Sequence, residues 1–208
     1  FLCLKIIILK HFCFFIFNKK SFMKRLTPTK GKLLISDSSV LLDTVFSRSV
    51  LLLAEHNAKG SVGFILNKPL NLSLQDVIPE AYTNFRIYNG GPVEQDNLYF
   101  IHTIPSLIPN SIEIEDGIYW GGDYEILFEL LKNNQVSQKD IRFFLGYSGW
   151  DENQLQEEID TKSWTCIENQ FLNTLLEKTP SKLWKELMIE LGDEFIIWAN
   201  APEDPVMN

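Results

Sequence analysis

Short apolar runs separated by polar residues recur along most of the chain, which is the pattern that β-strands produce. The first three runs are Lys32–Asp37, Val50–His56 and Ser61–Asn67. Between the second and the third run, Asn57 and Gly60 provide the residue types that tight turns need. These two runs therefore predict an antiparallel hairpin, and both arms are apolar enough to lie in the centre of a sheet.

Further strands are predicted in the middle of the chain. In Ser111–Gly121, isoleucine alternates with glutamate, which indicates one buried face and one solvated face. Asp116–Gly117 is suited to a turn within that segment. The other predicted strands are Phe85–Gly90, Leu98–Thr103, Ile141–Ser148 and the short Ser163–Glu168.

Helices are predicted where apolar residues recur every three or four positions. The last one opens at Thr179–Pro180, carries leucines at positions 183, 187 and 191, and ends at Gly192. The others are Leu72–Ile78, stopped by Pro79; Asp123–Asn133, with Asp123 as N-cap; and Asp151–Asp160, with acids in its first turn. Since strands outnumber helices and several neighbours look antiparallel, we predict an α+β fold.

The first 22 residues differ from the rest of the chain because they contain four lysines and no acid. Lys5 and Lys10 interrupt the apolar run that an export signal or a membrane span would need, and no small-residue cleavage motif follows. We therefore expect residues 1–22 to be a non-native upstream extension, with Met23 as the start. A membrane anchor is the alternative interpretation. Residues 23–208 are predicted to form a single domain.

Charge and cysteine content restrict the class of function. The chain has a formal charge of −8; without residues 1–22, 15 basic residues face 27 acidic ones and the charge becomes −12. Phosphate backbones are bound by clustered Lys and Arg, so direct DNA binding is disfavoured, and so is binding to an anionic membrane. Beyond residue 22, Cys166 is the one cysteine, which excludes a disulfide framework and indicates the cytoplasm. We expect its thiol to be buried and inert.

Gly146–Trp150, with the sequence GYSGW, partly matches the G-x-S-x-G motif of hydrolases. The match fails at Trp150, because the strained turn of that motif needs small residues on both sides of the serine. We therefore predict that Ser148 lies in a tight turn and that its hydroxyl caps the following helix. Since no catalytic set is evident, we expect a protein without enzymatic activity.

His56 and His102 are the only histidines beyond residue 22, and each ends a predicted strand, where site residues often collect. They could form a catalytic pair or simply pack and form hydrogen bonds, and their spacing is not that of a metal site. Asn67 also ends a strand. Gly90–Gly91 could offer backbone N–H groups to an anion, or form a tight turn.

Several of these segments together resemble the YqgE/AlgH family of bacterial proteins, in its Bacteroidetes type. The resemblance rests on EHNAKGSVGFILNKP at Glu55–Pro69, NGGPV at Asn89–Val93 and FFLGYSGWDENQLQEEI at Phe143–Ile159. It implies a cytoplasmic protein with a bifurcated, mostly antiparallel sheet folded into a pseudo-barrel with flanking helices. It also implies a role in transcriptional regulation, with no established enzyme activity.

Two functions stay open at this point. The first is a regulatory protein that acts through another protein, and the alternative is a small-ligand, nucleotide or phosphate-binding protein with at most weak hydrolase activity. Neither function calls for a cofactor or a metal, and the oligomeric state is open. The candidate ligand or interaction surface consists of His56, Asn57, Asn67, Gly90, Gly91, His102, Tyr147, Trp150 and Gln154.

Overall fold

The computed structural model describes residues 25–81 and 83–202, apart from the side chains of residues 172 and 173. The predicted extension of residues 1–22 lies outside the described residues. Within them, the strands are β1 (Leu33–Ser36), β2 (Val50–Asn57), β3 (Gly60–Ile65), β4 (Pro69–Ser73), β5 (Arg86–Asn89), β6 (Val93–His102), β7 (Ile112–Glu115), β8 (Ile118–Trp120), β9 (Ile141–Asp151) and β10 (Trp164–Ile167). The α-helices are α1 (Leu74–Val77), α2 (Tyr124–Lys132), α3 (Gln154–Asp160), α4 (Pro180–Leu191) and α5 (Asp193–Ala199).

The strands form one sheet that branches at β9. The main order is β10-β1-β2-β3-β9-β6-β8-β7, and β4 and β5 form the branch. β5 runs parallel to the first half of β9, whereas β3 pairs antiparallel with its second half. The other pairs are antiparallel, and the sheet curls until β7 approaches β2. The predicted α+β fold with a bifurcated sheet is confirmed.

The core has three apolar clusters, which the two faces of the sheet separate. Phe143 and Phe144 illustrate the division, because successive side chains of a strand point to opposite faces. Phe144 packs in the cluster that α4 covers, whereas Phe143 packs in the cluster that α2 covers. The third cluster lies behind β1, β2 and β3, where Trp150 and Trp164 meet α3. Both faces of the sheet are therefore buried against apolar clusters.

The hairpin predicted around Asn57 and Gly60 is confirmed, since β2 and β3 pair antiparallel with Asn57 opposite Gly60. A register shift between Leu53 and Glu55 adds a bulge at Ala54. After the bulge, Glu55 pairs with Val62 and His56 pairs with Ser61. Each of these β2 side chains therefore lies on the same face of the sheet as the side chain of its β3 partner.

The predicted tight turn at residues 146–149 is wrong, because β9 continues through Asp151. β3 pairs with this part of the strand and keeps it extended, with Gly63 opposite Ser148. The Ser148 hydroxyl is fully buried and donates a hydrogen bond to the carbonyl of Gly90 over 3.1 Å, so it does not cap the next helix. α3 consequently begins at Gln154, three residues later than predicted.

The described residues include no helix that is both long enough and apolar enough to cross a membrane.

Candidate functional site

An open depression, which we call the trough, lies where β2 and β3 meet the end of β9. Its volume is about 500 Å³. Glycines, apolar side chains and polar side chains each form part of its surface. The lining residues are Gly60 and Gly149; Val62, Val93, Tyr147 and Trp150; and Glu55, Asn57, Lys59, Ser61, Asp151 and Gln154.

The trough is open at its floor because the floor residue, Gly149, has no side chain. In the sheet, Gly149 lies beside Val62, which in turn lies beside Glu55 on β2. A Cβ atom at Gly149 would lie 3.2 Å from the Tyr147 ring and 3.6 Å from the Val93 side chain. Val62, Val93 and Tyr147 therefore surround a gap that the missing side chain leaves open.

Alternation along β2 places its two candidate residues, His56 and Asn57, on different faces. Glu55 lies opposite Val62 and faces the trough, and alternation along the strand brings Asn57 to the same side. His56 points to the other face, where its Nδ1 lies 2.8 Å from the Ser61 hydroxyl. His56 is therefore not part of the surface of the trough. It contacts Ser61, which is.

A hydrogen-bonded network in α3 holds one wall of the trough in place. The Gln154 side chain accepts from the backbone N–H of Asp151 over 2.9 Å and donates to Glu158 over 2.9 Å. Glu158 also accepts from the indole N–H groups of Trp150, at 2.9 Å, and Trp164, at 2.7 Å. Trp150 and Gln154 therefore fix the position of this wall.

The rim of the trough is acidic. Glu55 and Asp151 are exposed, and Lys59 is the cation among the lining residues. Beside Val93, the exposed carboxylate of Glu94 accepts hydrogen bonds from the Tyr99 hydroxyl and from Asn97, which lower its pKa. Negative charge thus extends from the rim along the start of β6.

Tyr99 connects this charged edge to the core. Burial, together with the hydrogen bond to Glu94, raises the pKa of Tyr99 to about 12, so the hydroxyl remains a donor at neutral pH. Its ring packs edge-on against Tyr147, with 5.5 Å between the ring centroids. The described residues include no group of three His, Cys, Asp or Glu side chains that could hold a metal ion.

Asn67, Gly90 and Gly91 lie outside the trough and stabilise the sheet. Asn67 accepts from the N–H of Val50 and donates to the carbonyl of Arg48, both over 2.9 Å. The N–H of Gly90 donates to the carbonyl of Leu145, and that of Gly91 donates to the side chain of Asn89. Both glycine N–H groups are therefore already used within the protein. The anion site that the sequence offered as one option at Gly90–Gly91 is not formed.

His102 lies at the opposite end of β9 from His56. It pairs with Ile141, whereas His56 is linked through Ser61 to Trp150. Nine residues of extended strand correspond to roughly 30 Å, so the two histidines do not form a catalytic pair.

His102 is fully buried and forms hydrogen bonds through both ring nitrogens. Its Nδ1 accepts from the N–H of Ile104 and its Nε2 donates to the carbonyl of Gly121, each over 3.2 Å. Only the neutral ring can do both, since a backbone N–H cannot accept. Burial accordingly lowers the pKa of His102.

Of the nine candidate residues, the structure therefore brings four together in the trough: Asn57, Tyr147, Trp150 and Gln154. The sequence prediction omitted most of the lining residues, including Val62, Val93 and Gly149. The sequence feature that these three share is that each lies in a segment that resembles the family. No pattern along the chain separated them from ordinary strand residues.

The trough is built from the segments that comparison with known proteins also selects. The sequence profile of the AlgH-like family (DUF179) matches residues 33–196, which include every residue that lines it. The chain belongs to the AlgH-like family. A UPF0301 protein from Cytophaga hutchinsonii is 40% identical over 182 residues, which are 86% of this chain and 99% of that protein.

Other family members agree with this assignment. The UPF0301 protein BF2109 from Bacteroides fragilis is 40% identical over 185 residues, covering 87% of this chain and 92% of the relative. The solution structure of AlgH from Pseudomonas aeruginosa superposes with a TM-score of 0.66 at 23% identity, covering 86% of this chain and 98% of AlgH. The crystal structure of DIP2367 from Corynebacterium diphtheriae gives a TM-score of 0.66 at 21% identity, with coverage of 89% and 100%. The two structures share the fold of this AlgH-like protein.

Proposed function

We propose that this protein is a cytoplasmic, non-enzymatic regulatory protein that acts by binding another protein, and that the trough is its binding surface. The observation that carries the proposal is the arrangement of the trough, in which an apolar centre is surrounded by exposed carboxylates. Val62, Val93 and Tyr147 form the centre, and Glu55 and Asp151 lie on the rim. Protein interfaces commonly combine an apolar centre with a polar rim in this way.

The charge of the rim favours a partner that presents a basic segment. Carboxylates attract Lys and Arg during diffusional encounter and repel phosphates. The same charge weakens any direct contact with DNA, since DNA contacts depend on neutralising phosphates. A role in transcription would therefore be exerted through a protein, which agrees with the regulatory function that the family resemblance implies.

Site-specific crosslinking with a charge-reversed variant tests the proposal. A photo-crosslinking residue at Asn57 is introduced into the chain with Glu55→Lys and Asp151→Lys, and into the otherwise unchanged chain. We expect the unchanged chain to capture one discrete protein in cells and the variant to capture at least tenfold less, because the rim then repels a basic partner. A crosslinker at Lys139, close to the other end of β9, provides the positional control.

A matched variant separates charge from position. Glu125→Lys with Glu129→Lys makes the same change in net charge on exposed positions of α2. Capture through Asn57 should be unaffected in this variant. Equal capture by the trough variant and the unchanged chain would contradict the proposal, and so would an equal loss in both variants.

A titration with duplex DNA tests the alternative of direct binding. Phosphate contacts are strongest at low ionic strength, so we expect no measurable affinity even there. Affinity that falls steeply with added salt would replace the protein-mediated proposal with direct DNA binding.

A further inference from the structure

A second cavity, which we call the arginine pocket, lies near the end of β9 that is remote from the trough. Its volume is about 260 Å³. Its cationic lining residues are Arg86, Arg142 and Lys178, and Tyr88, Gln138 and Thr179 are also part of its surface. The feature that needs an explanation is the accumulation of positive charge around so small a space.

Arg142 is a buried cation, with 6% of its surface exposed. Its Nη1 donates to the carbonyl of Leu66 over 2.8 Å and its Nη2 to the carbonyl of Leu176 over 2.7 Å. Its guanidinium also lies over the ring of Tyr88, 4.5 Å from the centroid. These contacts orient the group without neutralising it, and a guanidinium has five N–H donors in all.

Arg86 brings a second guanidinium to the same face of the sheet. β5 and β9 are parallel with Ile87 beside Phe143, so Arg86 and Arg142, one position earlier on each strand, are lateral neighbours. Adjacent strands lie about 4.8 Å apart, and like charges in such positions destabilise a sheet. Within residues 25–81 and 83–202, neither arginine forms an ion pair with a carboxylate.

Two further features add positive potential. Lys178 lies on the pocket wall with its ammonium over the ring of Phe171, 4.3 Å from the centroid. The 12-residue helix α4 begins at the pocket, with Thr179 as N-cap and Pro180 as its first residue, and a helix N-terminus carries partial positive charge. Glu177 is the acid among the lining residues. Burial lowers the pKa of Arg142.

We propose that the arginine pocket binds a small oxyanion, namely a phosphate group. Neighbouring guanidinium groups present N–H donors in the planar arrangement that phosphate oxygens accept. Pockets for drug-sized ligands have volumes of roughly 300–1,000 Å³, so this one accommodates free phosphate or the phosphate end of a small ester. The site is independent of the trough and of the proposed regulatory function.

Binding of inorganic phosphate to the chain, measured by isothermal titration calorimetry at constant ionic strength, tests the proposal. Arg86→Gln is the decisive variant because Arg86 is exposed and its loss should leave the fold intact. We expect it to weaken phosphate binding by about tenfold or more, since hydrogen bonds between a guanidinium and phosphate oxygens are charge-assisted and strong. Lys178→Gln should weaken it in the same direction.

Lys59→Gln, on the rim of the trough, makes the same charge change at a remote position and should bind phosphate as the unchanged chain does. The combined Glu55→Lys and Asp151→Lys variant should also keep phosphate binding, so this proposal and the protein-binding proposal fail separately. Glycerol phosphate is titrated in parallel: tighter binding than inorganic phosphate identifies an ester as the ligand, and equal or weaker binding identifies free phosphate. The proposal would be overturned if neither phosphate nor glycerol phosphate bound, or if Arg86→Gln bound them as tightly as the unchanged chain.

Discussion

Glu158 shows how much one side chain contributes to the wall of the trough. Its two carboxylate oxygens accept three hydrogen bonds, two of them from indole N–H groups of largely buried tryptophans. An indole N–H that loses its acceptor inside a protein incurs its full desolvation cost. The attachment of α3 to β9 and β10 therefore depends strongly on this residue.

We expect Glu158→Ala to lower the free energy of unfolding by about 2–4 kcal/mol, because it leaves the N–H groups of Trp150 and Trp164 without their acceptor. Urea denaturation followed by circular dichroism measures the change. Glu157→Ala is the matched control, since Glu157 is the exposed neighbour on the same helix, and it should change stability by less than about 0.5 kcal/mol. Equal effects of the two substitutions would show that the network contributes little.

His102 gives the fold a dependence on pH. In the unfolded chain a histidine takes up a proton near pH 6.5, whereas burial lowers the pKa of His102 in the folded protein. The unfolded state therefore binds more protons below about pH 6.5. The stability associated with this neutral ring is complete above that pH and is lost as the pH falls towards the lowered pKa.

We expect His102→Gln to make the decline in stability between pH 7.5 and pH 5.5 shallower, by up to about 1.4 kcal/mol per pH unit below pH 6.5. Urea denaturation at several pH values measures the two slopes, so a constant loss of stability in the variant does not affect the comparison. Identical slopes would mean that His102 titrates alike in the folded and unfolded states.

Residue roles that depend on near neighbours were predictable from the sequence. Asp123 caps α2 as predicted, accepting from the N–H of Ile126 over 3.1 Å. Cys166 is buried as predicted, and burial raises the pKa of its thiol to about 12. The roles of Arg142 could not be predicted, because its partners Leu66 and Leu176 are far away in sequence and contribute only backbone carbonyls.

At the scale of elements, β9 shows where local patterns mislead. The glycines and serine of GYSGW are typical of a turn, yet the strand continues because β3 and β6 pair with it on either side. Gly146 has a φ of +69°, which lets the strand bend there without strain. The glycines therefore allow a bend and a close contact within a strand.

The contact between the Gly90–Gly91 segment and β9 leads to a prediction. A Cβ atom at Gly91 would overlap the backbone of Tyr147 and Ser148, and its φ is +150°. We expect Gly91→Ala to lower the free energy of unfolding by more than about 3 kcal/mol, because neither backbone can move without breaking sheet hydrogen bonds. Thermal or urea unfolding measures the loss.

Gly117→Ala is the control for backbone conformation alone. Gly117 also has positive φ, at +84°, but a Cβ atom there would have no neighbour within 4 Å. The cost should be about 1–2 kcal/mol. If both substitutions cost the same, φ alone would explain the effect and the close contact would be irrelevant.

The elements that the sequence did not predict have few of the residue patterns that are typical of strands or helices. β4 begins with Pro69 and is short, and its pairing with β5 provides the stability that its sequence lacks. The first part of β6 is polar, and the register shift between Val93 and Leu98 leaves residues 94–97 largely outside the ladder. α5 follows α4 directly after Gly192, a residue that normally marks the end of helical structure.

For the whole molecule, β9 joins parts of the fold that would otherwise be separate. Phe143, Phe144 and Trp150 on this one strand belong to the three different apolar clusters. Loss of any cluster therefore disturbs the strand that supports the other two. We expect the described domain to unfold as a single cooperative unit.

Coincidence of two probes tests this expectation. The tryptophans report on tertiary structure in two clusters, through Trp184 in the first and Trp164 in the third, whereas far-ultraviolet circular dichroism follows the whole sheet. Urea transitions measured by fluorescence and by circular dichroism should have the same midpoint. Separate midpoints would show that one cluster melts on its own.

The central position of β9 also has a consequence for synthesis on the ribosome. β3, β5 and β6 all precede it in the chain, yet each completes its pairing only when residues 141–151 have left the exit tunnel. Until then their edges are unpaired, which is the condition that favours aggregation of nascent chains. We therefore expect the pace of translation between β8 and β9 to affect how long the growing chain is prone to aggregate.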